Sequence, residues 1–515
     1  EDLSLKKLLD LVVGQPAFYE NYLFDQQFAH KGWSGFVAAV EGTPDTLLYQ
    51  KKVSLHDLLL LELLLEVDAL DTVLGSKWQP LAAGRTDTPE NYFADDSASE
   101  REEVLKLWQC AFEMDYYDDV LSGLDQLAKK PQLERPVAPS FQSLFCIDDR
   151  EDSLRRHLEE VDPNCQTLGA PGYYGAAIYF QPFGGKFYEK NCPAPVTPRH
   201  LIKEVAVTTT RSRGHFHDNR SHTIFRGFLA TLSLGLWASV RLILDQFRPQ
   251  MRPDIADAFS HMDPAGELLI ENVDPNQKEN GLQVGYTVPE MADVVAGILT
   301  SIGLTDNFAP LVYVVAHGSS SANNPHHGAH DCGACSGRPG AINARVFAFM
   351  ANHPEVRLLL QKRSLHLPAG LQFIGGMHDT ASDEIRWYDE QILTAESASL
   401  HRKHVATFET ALDLNARERS RRFASIDHTR DIKKVRRDIK NRSVSYFEPR
   451  PELGHGTNAL CYVGNRARMK NLFLDRRAFL QSYDYLQDPD GTVLTKVMAP
   501  LPIVCGGINL EYYFS

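Results

Sequence analysis

The chain has 515 residues, of which 43% are hydrophobic and 23% are charged, and its formal net charge is −14. This composition is typical of a globular protein with roughly two to four domains, and it excludes a disordered or collagen-like chain. The acidic excess argues against general nucleic-acid binding, and eight cysteines are too few for a disulfide-rich scaffold.

The first region, residues 1–135, is predicted to be mainly helical. The leucine-rich run at residues 58–65 is interrupted by Glu62, a pattern typical of an amphipathic helix. Ser97 and Glu100 have the spacing of a capping box. Apolar residues then recur at helical intervals at Val104, Leu107, Trp108, Ala111 and Phe112. Prolines at 131, 136 and 139 indicate where this region ends.

The second region, residues 136–410, is predicted to be the α/β core. Short apolar runs at residues 140–146, 311–316 and 371–374 have the pattern of buried strands. Helical segments follow the first two runs, near residues 153–158 and 341–349. Alternating strands and helices predict a mostly parallel sheet, and ligands gather at the carboxyl ends of such strands. We therefore expect the functional residues in the loops that follow these three strands.

The third region, residues 411–515, is predicted to combine a basic helical segment with a C-terminal strand region, packed on the core. Between residues 415 and 442, eleven basic side chains face only four acidic ones. We favour a solvated helical face for this segment. The alternative is a docking patch for an acidic partner or for anionic lipid.

The ends and the hydropathy of the chain bear on its location. The chain begins Glu1-Asp2-Leu3, with neither a methionine nor a secretory signal, and it ends in a strand-like run at residues 510–515. We expect a fragment of a longer protein. The uncharged stretch at residues 227–240 has 14 residues, fewer than the roughly 20 that a membrane span needs. A soluble or peripheral protein in a reducing cytoplasm is therefore predicted.

Two segments concentrate residue types that bind metals. Cys146, Asp148 and Arg150 come directly after the first strand, and His317 ends the second. Further candidates follow His317 in the sequence: His326, His327, His330, Cys332 and Cys335. Thiolate and imidazole together suit zinc, and three protein ligands leave one position open for catalysis. Cys146, His317 and one cysteine of the second segment would supply that set.

Each of these residues also has an ordinary structural interpretation. Cys146 alone is more often a buried core residue, and Asp148 with Arg150 is more often a surface ion pair. Cys332 and Cys335 could be half of a structural zinc knuckle or a redox pair, and the three histidines between residues 326 and 330 could be plain loop residues. The coincidence of complementary ligands at separate strand ends favours a zinc site.

The same residues indicate a mechanism. Zinc lowers the pKa of a bound water toward neutrality, so that the water can attack an electrophile. Two thiolate ligands weaken zinc as a Lewis acid, so we expect Asp148 to orient the water. Arg150 could pair with Asp148 through two hydrogen bonds and hold it off the metal.

These motifs resemble those of known families. The pattern Cys146-x-Asp148-x-Arg150 is similar to the first motif of β-carbonic anhydrases. Their second motif is His-x-x-Cys, whereas here fourteen residues separate His317 from Cys332. The strings at residues 145–151, 329–335 and 375–380 resemble the DabA family, the large soluble subunits of DAB inorganic-carbon accumulation systems.

The resemblance implies a fold, a site and a reaction. The fold would be a core like that of β-carbonic anhydrase with large insertions. One zinc would be held by Cys146, Asp148, His317 and Cys332, with Asp148 and Arg150 as catalytic residues. The reaction would be one-way hydration of CO2 to bicarbonate.

The resemblance also implies a partner and a location. The partner would be a DabB-like membrane subunit, related to proton-translocating antiporter subunits, that couples hydration to a cation gradient. The chain would be peripheral, at the cytoplasmic face of a bacterial inner membrane. Two alternatives remain open: a zinc hydrolase of a larger substrate, and a non-catalytic structural zinc protein.

Overall fold

A computed structural model gives the fold of most of the chain. It describes residues 4–42, 52–75, 77–94, 99–129, 138–185, 187–206, 266–274, 276–323, 331–445, 447, 457–498 and 501, with scattered positions between 225 and 244. Several predicted features lie outside the described residues: Ser97, Pro131, Pro136, the three histidines at 326, 327 and 330, the strand at 510–515 and half of the stretch at 227–240.

The chain divides into two compact units, Glu1–Gln109 and Cys110–Ser515. The domain boundaries predicted at residues 135 and 410 stay predictions. Among the helices that the structure describes, none has the length and apolar character that crossing a membrane requires.

The first unit is helical. Its helices are α1 (Leu5–Val12), α2 (Tyr19–Ala29), α3 (Lys31–Gly42), α4 (Leu55–Leu74) and the first part of α5 (Glu100–Ala128). Helix α4 contains the leucine-rich run and begins with a capping box between Ser54 and Asp57. The box at the start of α5 is formed by Ser99 and Glu102, two residues beyond the predicted pair.

A five-stranded sheet forms the centre of the second unit. Its strands are β1 (Gln142–Cys146), β2 (Gln166–Ala170), β9 (Leu311–Gly318), β10 (Gln372–Asp379) and β11 (Glu384–Trp387). The spatial order is β11-β10-β9-β1-β2, and all neighbours are parallel except the antiparallel edge strand β11. The three predicted strands are thus confirmed as β1, β9 and β10, within a mixed α/β fold.

Residues 375–379, which follow the predicted strand at residues 371–374 and were expected to form a loop, belong to strand β10. Glycines there allow close packing in a strand. A Cβ atom at Gly375 would lie 3.1 Å from the backbone nitrogen of Arg345, and one at Gly376 would lie 2.7 Å from the Trp387 ring. The glycine pair therefore indicates tight neighbours rather than a turn.

Helices cover both faces of this sheet. They are α6 (Asp152–Val161), α7 (Val288–Ser301), α8 (Ala341–Asn352), α9 (Pro354–Lys362), α10 (Ala395–Ser420), α11 (Ile432–Ser443) and the shorter α12 (Thr492–Met498). Alternate residues of β9 face opposite sides, as strand geometry requires. Tyr313 and Val315 pack in one core with α6 and α10, whereas Val312 and Val314 pack in another with α7, α8 and α9.

Two smaller sheets complete the second unit. The strands of a six-stranded sheet are β3 (Ile178–Gln181), β4 (Glu189–Asn191), β5 (His200–Ala206), β6 (Glu267–Leu269), β7 (Lys278–Glu279) and β8 (Leu282–Val284). The pair β12 (Leu460–Gly464) and β13 (Ala478–Ser482) is parallel. The backbone N–H of Leu480 in β13 donates to the carbonyl of Ile147 at 2.9 Å, beside the end of β1.

The basic segment at residues 415–442 spans the end of α10 and most of α11. Seven of its eleven basic side chains are exposed, as a solvated face requires. Arg419 departs from that interpretation, because it is buried and lies 3.0 Å from Asp383. Helix α11 packs on α10 through Val435 and Ile439.

Candidate metal centre

Three predicted ligands meet at the carboxyl edge of the central sheet. Cys146 is the last residue of β1, and His317 is the second-last residue of the neighbouring parallel strand β9. The register pairs Phe145 with Val315, so Cys146 and His317 reach nearly the same level. Cys332 lies at the start of a short 3-10 turn, Gly333–Cys335. Parallel pairing therefore brings together residues far apart in the chain, as the sequence predicted.

The geometry of these three residues fits a tetrahedral metal site. Their ligand atoms all lie within 4.8 Å of one another, and all three side chains are buried. The Sγ atoms of Cys146 and Cys332 are 4.0 Å apart, close to the roughly 3.8 Å that two zinc–sulfur bonds at a tetrahedral angle would give. The Nε2 atom of His317 is buried and makes no hydrogen bond to a described residue.

Gly172, which sequence reasoning missed, lies against both sulfur atoms. A Cβ atom there would lie 2.7 Å from Sγ of Cys332 and 2.9 Å from Sγ of Cys146. No local motif marks this glycine, because its role depends on the turn that follows β2. The close approach allows no side chain at this position.

Asp148 and Arg150 form a buried pair beside the cluster. Arg150 donates from Nε to Oδ1 of Asp148 at 2.8 Å and from Nη2 to Oδ2 at 3.0 Å. Both residues are only 2% exposed, so the surface ion pair considered from sequence is wrong. Oδ2 of Asp148 also lies 3.4 Å from Nε2 of His317. Asp148 is therefore close to the cluster while it is paired with Arg150, and its place as fourth ligand stays a prediction.

Burial and neighbouring charges shift the pKa values of the three candidate ligands. Burial raises the pKa of the Cys146 and Cys332 thiols well above their ordinary value. Burial alone would lower the pKa of His317, but the Asp148 carboxylate and Cys146 outweigh it, and this pKa is raised. A metal ion must displace these protons, so its affinity should increase with pH.

Spacing leaves the choice between Cys332 and Cys335 open. The cluster of ligand atoms within 4.8 Å of one another contains Cys332, whose role as a metal ligand stays a prediction. Cys335 is buried, and its Sγ atom lies 3.7 Å from Oδ1 of Asn343. The metal type is not fixed by these contacts, although two sulfurs and one imidazole are a ligand set that zinc uses.

Comparison with known proteins places the chain among relatives of one kind. Residues 2–515 match the family described as "Probable inorganic carbon transporter subunit DabA". A protein of that name from Nitrosospira multiformis is 48% identical to this chain, and the match covers 99% of this chain and 56% of the relative. A second, from Azotobacter vinelandii, is 49% identical, and the match covers 100% of this chain and 61% of the relative. The chain thus spans little more than half the length of these relatives. No solved structure matches it, so a fold like that of β-carbonic anhydrase stays a prediction.

Proposed function

The chain belongs to the DabA family of probable inorganic carbon transporter subunits, and on this premise we propose that it is the zinc-binding, carbonic-anhydrase-like part of a system that converts CO2 to bicarbonate. The observation that supports this most is the buried cluster of Cys146, His317 and Cys332. It lies beside the Asp148–Arg150 pair, which is joined by two hydrogen bonds. Asp148 and Arg150 are spaced in the sequence like the aspartate and the arginine of the first β-carbonic anhydrase motif.

Each residue of the site has a proposed role. Cys146, His317 and Cys332 would hold zinc, with Asp148 as a fourth ligand in a closed state. Zinc bound there would supply a Lewis acid that ionises water near neutral pH. We assign the pairing of Asp148 with Arg150 to the open state. A carboxylate paired in this way keeps lone pairs that can accept a hydrogen bond from the reacting water and orient it.

The surroundings of the cluster favour a small apolar substrate. Cys146 and Cys332 pack with Ile147, Ala334 and Phe479. CO2 needs a small apolar pocket, whereas a zinc hydrolase acting on a larger substrate needs an open polar cleft. The ligands are at most 2% exposed, which favours CO2 over the larger substrate.

A membrane partner is part of the proposal. Its support is the word "subunit" in the names of the relatives. The partner would be a DabB-like protein that resembles proton-translocating antiporter subunits, at the cytoplasmic face of a bacterial inner membrane. It would couple one-way hydration to a cation gradient by shifting Asp148 between its two positions. Rapid CO2 hydration by the isolated chain would refute this gating.

Metal analysis of cysteine variants tests the site. We expect the parental chain to bind one zinc, and Cys146→Ser and Cys332→Ser to bind it at least about tenfold more weakly, because each loses a thiolate ligand. Cys335→Ser is the matched control and should bind zinc normally. Normal zinc binding by Cys146→Ser or Cys332→Ser would exclude the proposed site.

A growth assay separates catalysis from a structural role for zinc. The full-length protein with its membrane partner should restore growth in air to bacteria that lack carbonic anhydrase. Arg150→Ala should retain zinc and fail to restore growth, because Asp148 loses its partner. A purely structural zinc site predicts normal growth with this variant.

A further inference from the structure

A second group of buried charges lies beside the candidate metal centre, and the mechanism above does not use it. Its central residue is His378, near the end of β10, which is fully buried. His378 pairs in register with His317 on the adjacent parallel strand. Paired residues of neighbouring strands project from the same face of a sheet, so the two imidazoles are neighbours.

His378 lies between two carboxylates. Its Nδ1 atom is 2.8 Å and 3.0 Å from the two carboxylate oxygens of Glu151. Its Nε2 atom is 3.5 Å from Oδ1 of Asp383. All three side chains are fully buried. Buried carboxylates require counter-charges, so an imidazolium at this point stabilises both.

The far side of the group is fixed by helix α10. Arg419 lies 3.0 Å from Oδ2 of Asp383, and the amide of Asn415 donates to Oδ1 of Asp383 at 2.7 Å. Acid and base therefore alternate from Glu151 through His378 and Asp383 to Arg419. Such an alternation holds its members in place, because moving one of them leaves a buried charge unpaired.

The near side of the group reaches the Asp148–Arg150 pair. Glu151 directly follows Arg150 in the short turn Asp149–Glu151, and its N–H donates to the carbonyl of Asp148 at 3.0 Å. The Oγ1 atom of Thr380, two residues beyond His378, lies 3.5 Å from Nη1 of Arg150. The end of β10 thus contacts both Arg150 and the residue after it.

We propose that His378 is a positioning residue for the Asp148–Arg150 pair. His378 binds Glu151 and so attaches the turn that contains Arg150 to strand β10, next to His317. Arg150 is then the stationary member of the pair, and Asp148 is the member that moves between Arg150 and the metal. The assignment of a moving Asp148 rests on the proposed function, whereas the anchoring of the turn does not.

Hydrogen exchange on the metal-free chain tests the anchoring. In His378→Leu, the amides of residues 147–151 should exchange about tenfold faster or more, the effect expected when a charge-assisted hydrogen bond is lost. His378→Asn should accelerate exchange less than His378→Leu does, because the asparagine amide nitrogen lies near the position of Nδ1 and can still donate to Glu151, although without a charge.

A matched control separates anchoring from general loss of core packing. His404 is also buried, and its Nδ1 atom is 3.0 Å from the Tyr313 hydroxyl, away from the turn. His404→Gln should leave exchange at residues 147–151 unchanged. Equal acceleration in His404→Gln and His378→Leu, or none in His378→Leu, would overturn the proposal.

Cobalt binding tests the consequence for the site, since the visible absorption of cobalt reports its ligand set. The cobalt spectrum of His378→Leu should differ from that of the parental chain, because Asp148 is no longer held by a fixed Arg150. His378→Asn and His404→Gln should show the parental spectrum. If the parental chain binds no cobalt or zinc, the proposed function fails while the exchange result still decides the anchoring.

A second substitution covers the case in which His378→Leu does not fold. Glu151→Gln keeps the volume and removes the charge, so the bond to His378 becomes weaker without leaving a cavity. Exchange at residues 147–151 should then rise about threefold or more, since a neutral acceptor binds roughly half as strongly as a charged one. Parental exchange in a folded Glu151→Gln would contradict the proposal.

Discussion

Gly172 contacts the two sulfur atoms of the candidate metal centre, so its size controls their positions. A methyl group there would lie 2.7 Å and 2.9 Å from the two Sγ atoms, well inside a normal contact. We predict that Gly172→Ala weakens zinc binding about 10- to 100-fold, the range typical of changes next to metal ligands. Competition with a chromophoric chelator measures this affinity.

Gly297 provides the control for this substitution. It lies exposed in helix α7, and a Cβ atom there would meet nothing within 4 Å. Gly297→Ala should leave zinc affinity unchanged and raise the free energy of unfolding by up to about 1 kcal/mol, the helix-propensity difference between the two residues. Unchanged zinc binding by a folded Gly172→Ala would show that the sulfur positions are not constrained by this glycine.

Short motifs predicted most of the candidate site, because the sequence contains them as continuous strings. Cys146, His317 and the Asp148–Arg150 pair were all identified from the residues that follow predicted strands. The choice of Cys332 over Cys335 could not be made, since both lie in one short turn and only its orientation separates them. Gly172 was missed for a related reason: its contacts are with residues distant in the sequence.

At the scale of whole elements, helix α6 is connected to the turn after β12 by a buried ion pair. Arg466 lies 3.1 Å from each carboxylate oxygen of Glu159, and the two side chains are 7% and 2% exposed. Glu159→Ala would leave the guanidinium buried without its partner. We predict a loss of about 3–5 kcal/mol in the free energy of unfolding, measured by urea denaturation.

The next residue of α6 is a control for this prediction. Glu160 also pairs with a basic residue, His157, at 3.2 Å, but its side chain is 62% exposed. Glu160→Ala should therefore change the free energy of unfolding by less than about 1 kcal/mol. An equally small loss of unfolding free energy in Glu159→Ala would mean that the buried pair does not stabilise the packing of α6 against the turn after β12.

The same helix begins with an acid that makes stability depend on pH. Burial, opposed by Arg466 and reinforced by Glu418, raises the pKa of Asp152 from 3.8 to about 6. The folded state then binds a proton that the unfolded state has lost, so this residue's contribution to stability falls as pH rises from about 4 to 6. It stays low above pH 6.

Asp152→Asn should remove that dependence. The variant and the parental chain should have similar free energies of unfolding near pH 4. At pH 8 the variant should be more stable by up to about 3 kcal/mol, the equivalent of two pKa units. Urea denaturation at both values checks the difference. A constant difference at all pH values would show that Asp152 titrates normally.

The elements that the sequence predicted share one property: they are buried, continuous and apolar. Strand β9 is buried along its whole length, which explains why residues 311–316 stood out. The strands of the six-stranded sheet were not predicted, because they have two to seven residues and several are only partly buried. The basic pattern of α10 likewise concealed Arg419, whose burial depends on Asp383 in a distant segment.

At the scale of the whole molecule, the proposed ligands Cys146, His317 and Cys332 all belong to the second compact unit. Helix α5 crosses the boundary between the units, and within the second unit it is anchored by the Tyr116 and Tyr117 hydroxyls. They donate to the carbonyls of Leu474 and Ala459, each at 2.9 Å. A fragment that preserves this unit must therefore keep α5 intact.

We predict that residues 99–515, which retain α5 and its capping residue Ser99, bind one zinc per chain with the affinity of the 515-residue chain.

A fragment that starts at Cys110 lacks the first ten residues of the helix (Glu100–Gln109). It should melt at a lower temperature, because a helix without its N-cap leaves several backbone N–H groups unsatisfied. It should still bind zinc while folded, since it retains every proposed ligand. Metal content and thermal unfolding of both fragments check this, and a folded 99–515 fragment without zinc affinity would show that the first unit contributes to the site.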